Sequence, residues 1–445
     1  MGVAAICFSV LLSSFVVGFS LKKGNPLQAL PTITWFALMV LPFIFSWNFF
    51  PVNARMVQSI GILVITIALS LGDFFAIRYK AKQVPTKFFS VDQPTSTLIW
   101  YFSGLVLLIP LFHYIFAGSI PLFDQVFRNA SPNSVSAGRE DFVKLLNVPY
   151  LVKVLFNWVA TVFGPICVTW FWMKKRYLLS IGIFLWVVLY SVTSSASGPI
   201  VLFLWTLSFT LSYAFVRKRI FSHLVVIGIS STLVFCVVSG VWLGSTAIKA
   251  AHTCLDSSFK TYTPGDVFRG CQSEPGIWIN PVVNRAGYRI FLTPVVVSNH
   301  WYDYFDGNPS QKRNFLDIFE RTNSDQASNK VGVWAYTDRF PGSYGKTISA
   351  NGSIDADANS IAGIPAVLVA SMLLFLFRVL ISISFPKDLI LMRILEGIGL
   401  AQLAYMPISA SLQAILLPQG LGLILFLLLV FRGKSLWIAV KSKIS

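Results

Sequence analysis

The amino-acid sequence predicts an all-α polytopic membrane protein, with about eleven transmembrane helices and one large outer loop. Three observations predict it. First, 55% of the 445 residues are hydrophobic and only 12% are charged, roughly half the charged fraction of a soluble domain. Second, apolar runs of about 18 residues or more recur along the whole chain, the length a helix needs to cross a hydrocarbon core. The short alternating strands of a membrane barrel do not appear in the sequence. Third, the charge is lopsided. Nineteen of the 35 basic residues, but only four of the 18 acidic ones, fall on one side of a single threading, as the positive-inside rule requires. The net charge of +17 therefore reads as topology, not as a nucleic-acid footprint.

In chain order the expected spans are 1–21, 28–50, 57–77, 97–117, 150–173, 178–194, 199–216, 221–244, 360–383, 388–408 and 413–431. The first has no basic leader and is followed by Lys22 and Lys23, so it reads as a spanning helix and not as a cleaved signal peptide. The inner basic clusters are Lys22/Lys23, Arg78/Lys80/Lys82/Lys87, Lys174/Lys175/Arg176, Arg217/Lys218/Arg219, Lys387/Arg393 and Arg432/Lys434/Lys441/Lys443. The chain divides into helices 1–8 over residues 1–244, a large outer loop over 245–359, and helices 9–11 over 360–445. A smaller outer loop covers 118–149 and contains "FRNASPNSVSAGREDF". The large loop holds 11 basic and 11 acidic residues and is far longer than a simple connection. A loop of that size on one face of a bundle is where function usually sits.

Soluble catalytic motifs are missing: there is no GxGxxG after a strand, no phosphate loop, no HExxH and no GxSxG. The four histidines, His113, His223, His252 and His300, are scattered, which argues against a multi-histidine metal site. Asp73, Arg378 and Glu396 lie near inner helix ends and read as snorkelling groups or an interhelical pair. A coupled transporter would place such groups nearer the midplane. Cys7, Cys167 and Cys236 fall within helices and read as packing. Cys254 and Cys271 both fall in the large outer loop, where an oxidising compartment lets them pair.

The outer-side cations Arg55, Arg139, Lys144, Lys153, Arg285 and Arg289 flank short apolar stretches. They suit either phosphate oxygens or ordinary lipid headgroups. Arg285 and Arg289 belong to "NRAGYRIFLTPVVVSNHWYDYFDG", which runs from Asn284 to Gly307. As a helix it would carry Arg285, Arg289 and His300 on one face, with Arg289 and His300 about 16 Å apart along the axis. Either Pro294 breaks that helix, or the two groups touch different parts of a long ligand. In "HWYDYFDG", Tyr302 and Tyr304 offer stacking faces to sugars or form an interfacial belt. His300 is the first choice as a proton acceptor, with Asp303 and Asp306 as competitors.

The architecture resembles the Wzy-type polymerases of O-antigen and capsule repeat units. "NRAGYRIFLTPVVVSNHWYDYFDG" looks like that family's arginine-bearing segment followed by an aromatic-acidic turn. "SAGREDF", with Arg139, resembles its arginine segment in the first large loop. "ISANGSIDADANSIAGIPA" resembles the Asn-containing run that leads back into the membrane, and Asn359 is expected there among the substrate-binding residues. The resemblance implies a GT-C-like membrane glycosyltransferase in the bacterial inner (cytoplasmic) membrane, with its active site facing the periplasm. Its substrates would be undecaprenyl-pyrophosphate-linked oligosaccharides, joined without a metal or other cofactor. A chain-length regulator is a candidate partner, and nucleic acid is not. The alternatives are a ligase that moves polymer onto lipid A-core and a flippase or exporter of the same lipid-linked units.

One expectation follows from the loop alone. Cys254 and Cys271 are expected to be joined by a disulfide worth about 3 kcal/mol in the chain-entropy picture. Mass spectrometry of the unreduced protein checks it, and two free thiols would refute it.

Overall fold

A computed structural model describes residues 2–23, 26–82, 92–117, 120–121, 123–124, 142, 150–193, 197–215, 293–314, 321–336, 352–383, 390–409 and 411–431. Among them every regular element is helical. In chain order these are α1 (Gly2–Lys22), α2 (Leu30–Trp35), α3 (Leu41–Ser46), α4 (Val52–Lys82), α5 (Asp92–Ala117), α6 (Tyr150–Trp158), α7 (Gly164–Met173), α8 (Tyr177–Thr193) and α9 (Ser197–Phe215). They continue with α10 (Thr293–Gly307), α11 (Arg321–Tyr336), α12 (Ile354–Ala362), α13 (Ile364–Ile383), α14 (Ile390–Ser409), α15 (Leu412–Leu416) and α16 (Leu421–Phe431).

Among the described residues, six helical stretches are long and apolar enough to cross a membrane: Gly2–Lys22, Pro26–Ser46, Val52–Tyr79, Thr97–Ala117, Val152–Met173 and Ile364–Ser382. Tyr177–Thr193, Ile200–Tyr213 and Leu421–Phe431 are apolar but shorter. Large apolar side chains such as Leu11, Phe45, Leu178, Met372 and Phe426 are exposed on the outer helices. Water would not tolerate so many; a hydrocarbon phase covers them at no cost. The architecture is that of a polytopic helical membrane protein. The expected span 221–244 lies outside the described residues.

Several expected helices are interrupted, and prolines explain where. A proline lacks the N–H that would bond four residues back and crowds that carbonyl. Pro42 follows a π-helical turn at Phe36–Val40, and Pro165 follows another at Val159–Phe163. The carbonyl that Pro165 leaves unused, Thr161 O, accepts from Gln402 Nε2 at 3.2 Å. Pro110 lies inside α5, and the carbonyl it frees, Val106 O, accepts from Trp186 Nε1 at 2.9 Å. Side chains from neighbouring helices thus satisfy backbone groups that lipid could not.

Two boundaries differ from the sequence expectation. The helix expected over 360–383 is split by Gly363, whose φ of 70° and ψ of −152° suit glycine alone, with Pro365 just after it. The helix expected over 413–431 is split by a turn at 417–419 and by Gly420 at φ 88°. A Cβ on Gly420 would lie 2.3 Å from Val162.

The core runs through the whole bundle and joins α2–α9 to α13, α14 and α16. At one end of the α4–α13 pair sits a buried charged network. Arg378, with no exposed surface, donates its Nε to Asp73 and one terminal nitrogen to Ser382. Its other terminal nitrogen reaches Gln28 O at 2.7 Å and Gln28 Oε1 at 3.0 Å. Asp73 also accepts from the Thr32 amide at 3.0 Å and the Thr32 hydroxyl at 2.6 Å. That amide lies in the first turn of α2, where intrahelical partners are lacking. Gln28 Nε2 goes on to Tyr213 Oη at 2.6 Å and Glu396 Oε1 at 3.4 Å. The interhelical-pair reading of Asp73 and Arg378 is the one the geometry follows.

Removing one member of this pair strands a charge in an apolar interior. Asp73→Asn and Arg378→Met are each expected to cost about 3–5 kcal/mol, and the double substitution less than their sum. Thermal unfolding of the purified protein in detergent reads this directly.

Candidate functional site

About 22 Å along α4 from Asp73, at the opposite end of the bundle, Gln58 opens a second polar region. It is built where α10 and α12 meet the first turns of α4. The sequence of α10 alternates in threes and fours. Val297, Trp301 and Phe305 form an apolar stripe with Ala54, Ala327, Val331 and Ala356. Asn299, Tyr302 and Asp306 form a second stripe toward α4 and α12. His300 and Tyr304 form a third, toward Trp334 of α11.

The second stripe is closely tied down. Asn299 Nδ2 donates to Gln58 Oε1 at 2.7 Å, and Gln58 Nε2 donates to Val295 O at 3.3 Å. The Tyr302 hydroxyl donates to Asp355 Oδ2 at 3.1 Å. Gly61 makes room for it: a Cβ there would lie 2.1 Å from that hydroxyl oxygen. Ser298 and Ser353 hydroxyls pair at 2.6 Å, the Ser353 amide donates to Ser298 Oγ at 3.1 Å, and Ser353 Oγ donates to Asp355 Oδ1. Asp355 and Asp357 stand in the first turn of α12, where the helix dipole favours negative charge.

Asp355 is buried and accepts from the Tyr302 and Ser353 hydroxyls and from backbone amides at the start of α12. Burial pushes its carboxyl up to about 6, against the lowering pull of Ser353 and Tyr302. Burial, reinforced by the Asp355 charge, holds the Tyr302 hydroxyl well above the ordinary tyrosine range.

A segment after α10 adds two cations that sequence reasoning did not single out. Lys312 Nζ bonds Asp306 Oδ1 at 2.9 Å, with both side chains about a quarter exposed, 26% and 23%. Arg313 Nη2 bonds Asp357 Oδ1 at 2.7 Å, with side-chain exposures of only 8% and 5%. Arg313 also reaches Asp357 O and Ser360 Oγ, and its amide donates to Ser360 O at 2.9 Å. Arg313 therefore clamps the segment after α10 onto α12. Asn359 Nδ2 donates to Asp306 Oδ1 at 3.2 Å.

The candidate residues fall in distinct places. Asp306 and Asn359 come together. Tyr302 is fully buried in the α10 core and serves Asp355, so it presents no stacking face in this structure. Tyr304 is half-buried, with its ring 5.5 Å from that of Trp334. His300, also half-buried, has its ring 6.1 Å from the same Trp334, which is 47% exposed. Asp303 is half-buried on α10 between His300 and Asp306 around the helix. Pro294 lies in the first turn of α10, where its missing N–H costs nothing. Arg139, Arg285, Arg289, Cys254 and Cys271 lie outside the described residues. Among the described residues no three His, Cys, Asp or Glu side chains gather as a metal site would need.

Lys312 and Arg313 were visible in the sequence as adjacent cations just beyond Asp306, but the partners of Arg313, 44 and 47 residues downstream, were not. No protein-family model matches the chain, and neither the curated proteins nor the solved structures contain a match to it.

The Asp355 carboxyl, ordinarily near 3.8, holds its proton more tightly in the folded protein than in the unfolded chain. Its contribution to stability is thus fully present below about pH 4 and is lost as the pH rises through about 6. Asp355→Asn is expected to flatten this dependence, by at most about 3 kcal/mol between pH 4 and 8. Thermal unfolding in detergent across that pH range checks it.

Proposed function

We propose that the chain is a multi-pass membrane glycosyltransferase that polymerises undecaprenyl-pyrophosphate-linked oligosaccharide units at the periplasmic face of the bacterial inner membrane. One juxtaposition supports this reading best. At one end of an apolar bundle, His300, Tyr304 and the exposed Trp334 share a surface, and Asp303 lies on the same helix between His300 and Asp306 around its axis. Beside them a cation-bearing polar cluster joins Asp306, Lys312, Arg313, Asp357 and Asn359. Aromatic rings with a nearby base suit a sugar hydroxyl, and the apolar bundle suits a lipid tail.

The chemistry asks little beyond positioning. The growing chain leaves its lipid pyrophosphate as the acceptor hydroxyl attacks the anomeric carbon. Pyrophosphate departs readily once its developing charge is neutralised, and fixed arginines supply that. Arg289, with Arg285 and Arg139, takes this role. The acceptor hydroxyl gives up its proton to His300, an imidazole being a common general base. Asp303, on the same helix, is the competing acceptor.

The test is extension of a purified lipid-linked repeat unit by the purified protein. His300→Ala is expected to lower the rate by about 10²–10⁴-fold, and Arg289→Ala by about ten- to a hundredfold, with substrate binding retained in the first. Near-normal extension by His300→Ala would move the base to Asp303. Transfer of finished polymer to lipid A-core without any extension would replace the polymerase reading with the ligase.

A further inference from the structure

Two buried oxygens beside Lys312 have no hydrogen-bond partner. They are Asp306 Oδ2 and Asn359 Oδ1. The Asn359 side chain is oriented by its own amide, because Nδ2 donates to Asp306 Oδ1 at 3.2 Å and the reverse placement would set oxygen against oxygen. Asn359 is only 1% exposed, so its idle oxygen faces the protein and not the surface. Leaving such acceptors unmatched in a folded interior is costly, and a native site that does so is built to receive donors. Lys312 caps the site. Its Nζ spends one of three protons on Asp306 Oδ1 and has two left for another partner.

The surroundings agree. Arg313 holds the Lys312 backbone against α12 through Ser360 and Asp357. Gly363 presents no side chain to the cluster. A Cβ there would stand 3.6 Å from Lys312 Nζ and 3.9 Å from Asn359 Oδ1, in the space between them. Carboxylate oxygen, amide oxygen and ammonium together match a pair of neighbouring hydroxyls. One hydroxyl donates to Asp306 Oδ2 and accepts from Lys312; the other donates to Asn359 Oδ1. A metal cation is a poor fit, because the lysine charge already occupies the carboxylate. A phosphate is a poor fit at these two atoms as well, because both are acceptors; the idle donor of the cluster, Arg313 Nη1, belongs to the guanidinium already bound to Asp357 and Ser360.

We propose that Asp306, Lys312 and Asn359 form a sugar-binding subsite that grips two adjacent hydroxyls and opens when Lys312 swings off the Asp306 carboxylate. This rests on the glycosyltransferase reading for its place in catalysis. It assigns Asp306 to holding the sugar, not to removing a proton.

The experiment uses the full-length protein in lipid nanodiscs and ligand-observed saturation-transfer NMR. The probes are methyl glycosides of glucose, galactose, mannose, rhamnose and N-acetylglucosamine. At least one is expected to bind, and Asp306→Asn and Lys312→Met are each expected to weaken it about tenfold or more. Lys312 is partly exposed, so its substitution leaves the fold intact, and an unchanged unfolding temperature verifies that. Lys330→Met, on the exposed flank of α11, is the control and keeps full binding. If no glycoside binds, or if both substituted proteins bind as the parent does, the idle oxygens hold water only and the subsite is refuted. Extension of the lipid-linked unit is measured in parallel. Glycoside binding without extension retires the polymerase and keeps the subsite; extension without glycoside binding does the reverse.

Discussion

Arg378 has to place its whole guanidinium inside an apolar bundle, and that requirement organises the molecule. Its donors reach Asp73 on α4, Ser382 on its own helix, and both the carbonyl and the side chain of Gln28. Gln28 carries the network to Tyr213 on α9 and Glu396 on α14. Five separate stretches of chain are thereby held at one height and one rotation. Gly72 lets the arginine lie flat on α4, since a Cβ there would stand 2.8 Å from Arg378 Cγ. Because α4 and α13 are rigid helices, what is fixed at this end is also fixed at the other. The far turns of α4 deliver Gln58 and Gly61 to the spot where α10 and α12 meet.

The two polar regions are built to opposite rules. Around Arg378 the charge is matched at once by Asp73, and its donors have acceptors. Around α12, Asp355 is buried with hydroxyl and backbone amide partners, and two oxygens beside Lys312 have none. The contrast is between a charge matched inside the bundle and a cluster whose idle acceptors carry the proposed subsite.

Much of the helical layout could be read from the sequence, because spanning a hydrocarbon phase demands long apolar runs and little else produces them. The breaks were harder. A proline inside an apolar run, as at Pro42 or Pro165, is compatible with a kink, a wide turn or a stop, and neighbouring side chains decide which. Gly363 shows the same limit, since a lone glycine before Ile-Pro does not announce its backbone angles. At the site, the chemistry of "HWYDYFDG" was plain, but the division of labour within it was not. Tyr302 and Tyr304 look alike in sequence. Two residues apart on a helix they point about 160° from each other, one into the core and one toward Trp334. The ties from Arg313 to Asp357 and Ser360 depend on tertiary contact and left no trace in local pattern.

Gly363 also determines what thickness of bilayer the protein fits. If α12 and α13 ran as one helix from Ile354 to Ile383, the rod would be about 45 Å long and would drag Asp355, Asp357 and Asn359 into the acyl chains or force a steep tilt. Broken at Gly363, the apolar part is the 20-residue α13, about 30 Å, which is the depth of an ordinary hydrocarbon core. The nine residues of α12 are then free to turn aside at the boundary. One glycine with a positive φ keeps the acidic residues of α12 off the apolar rod of α13.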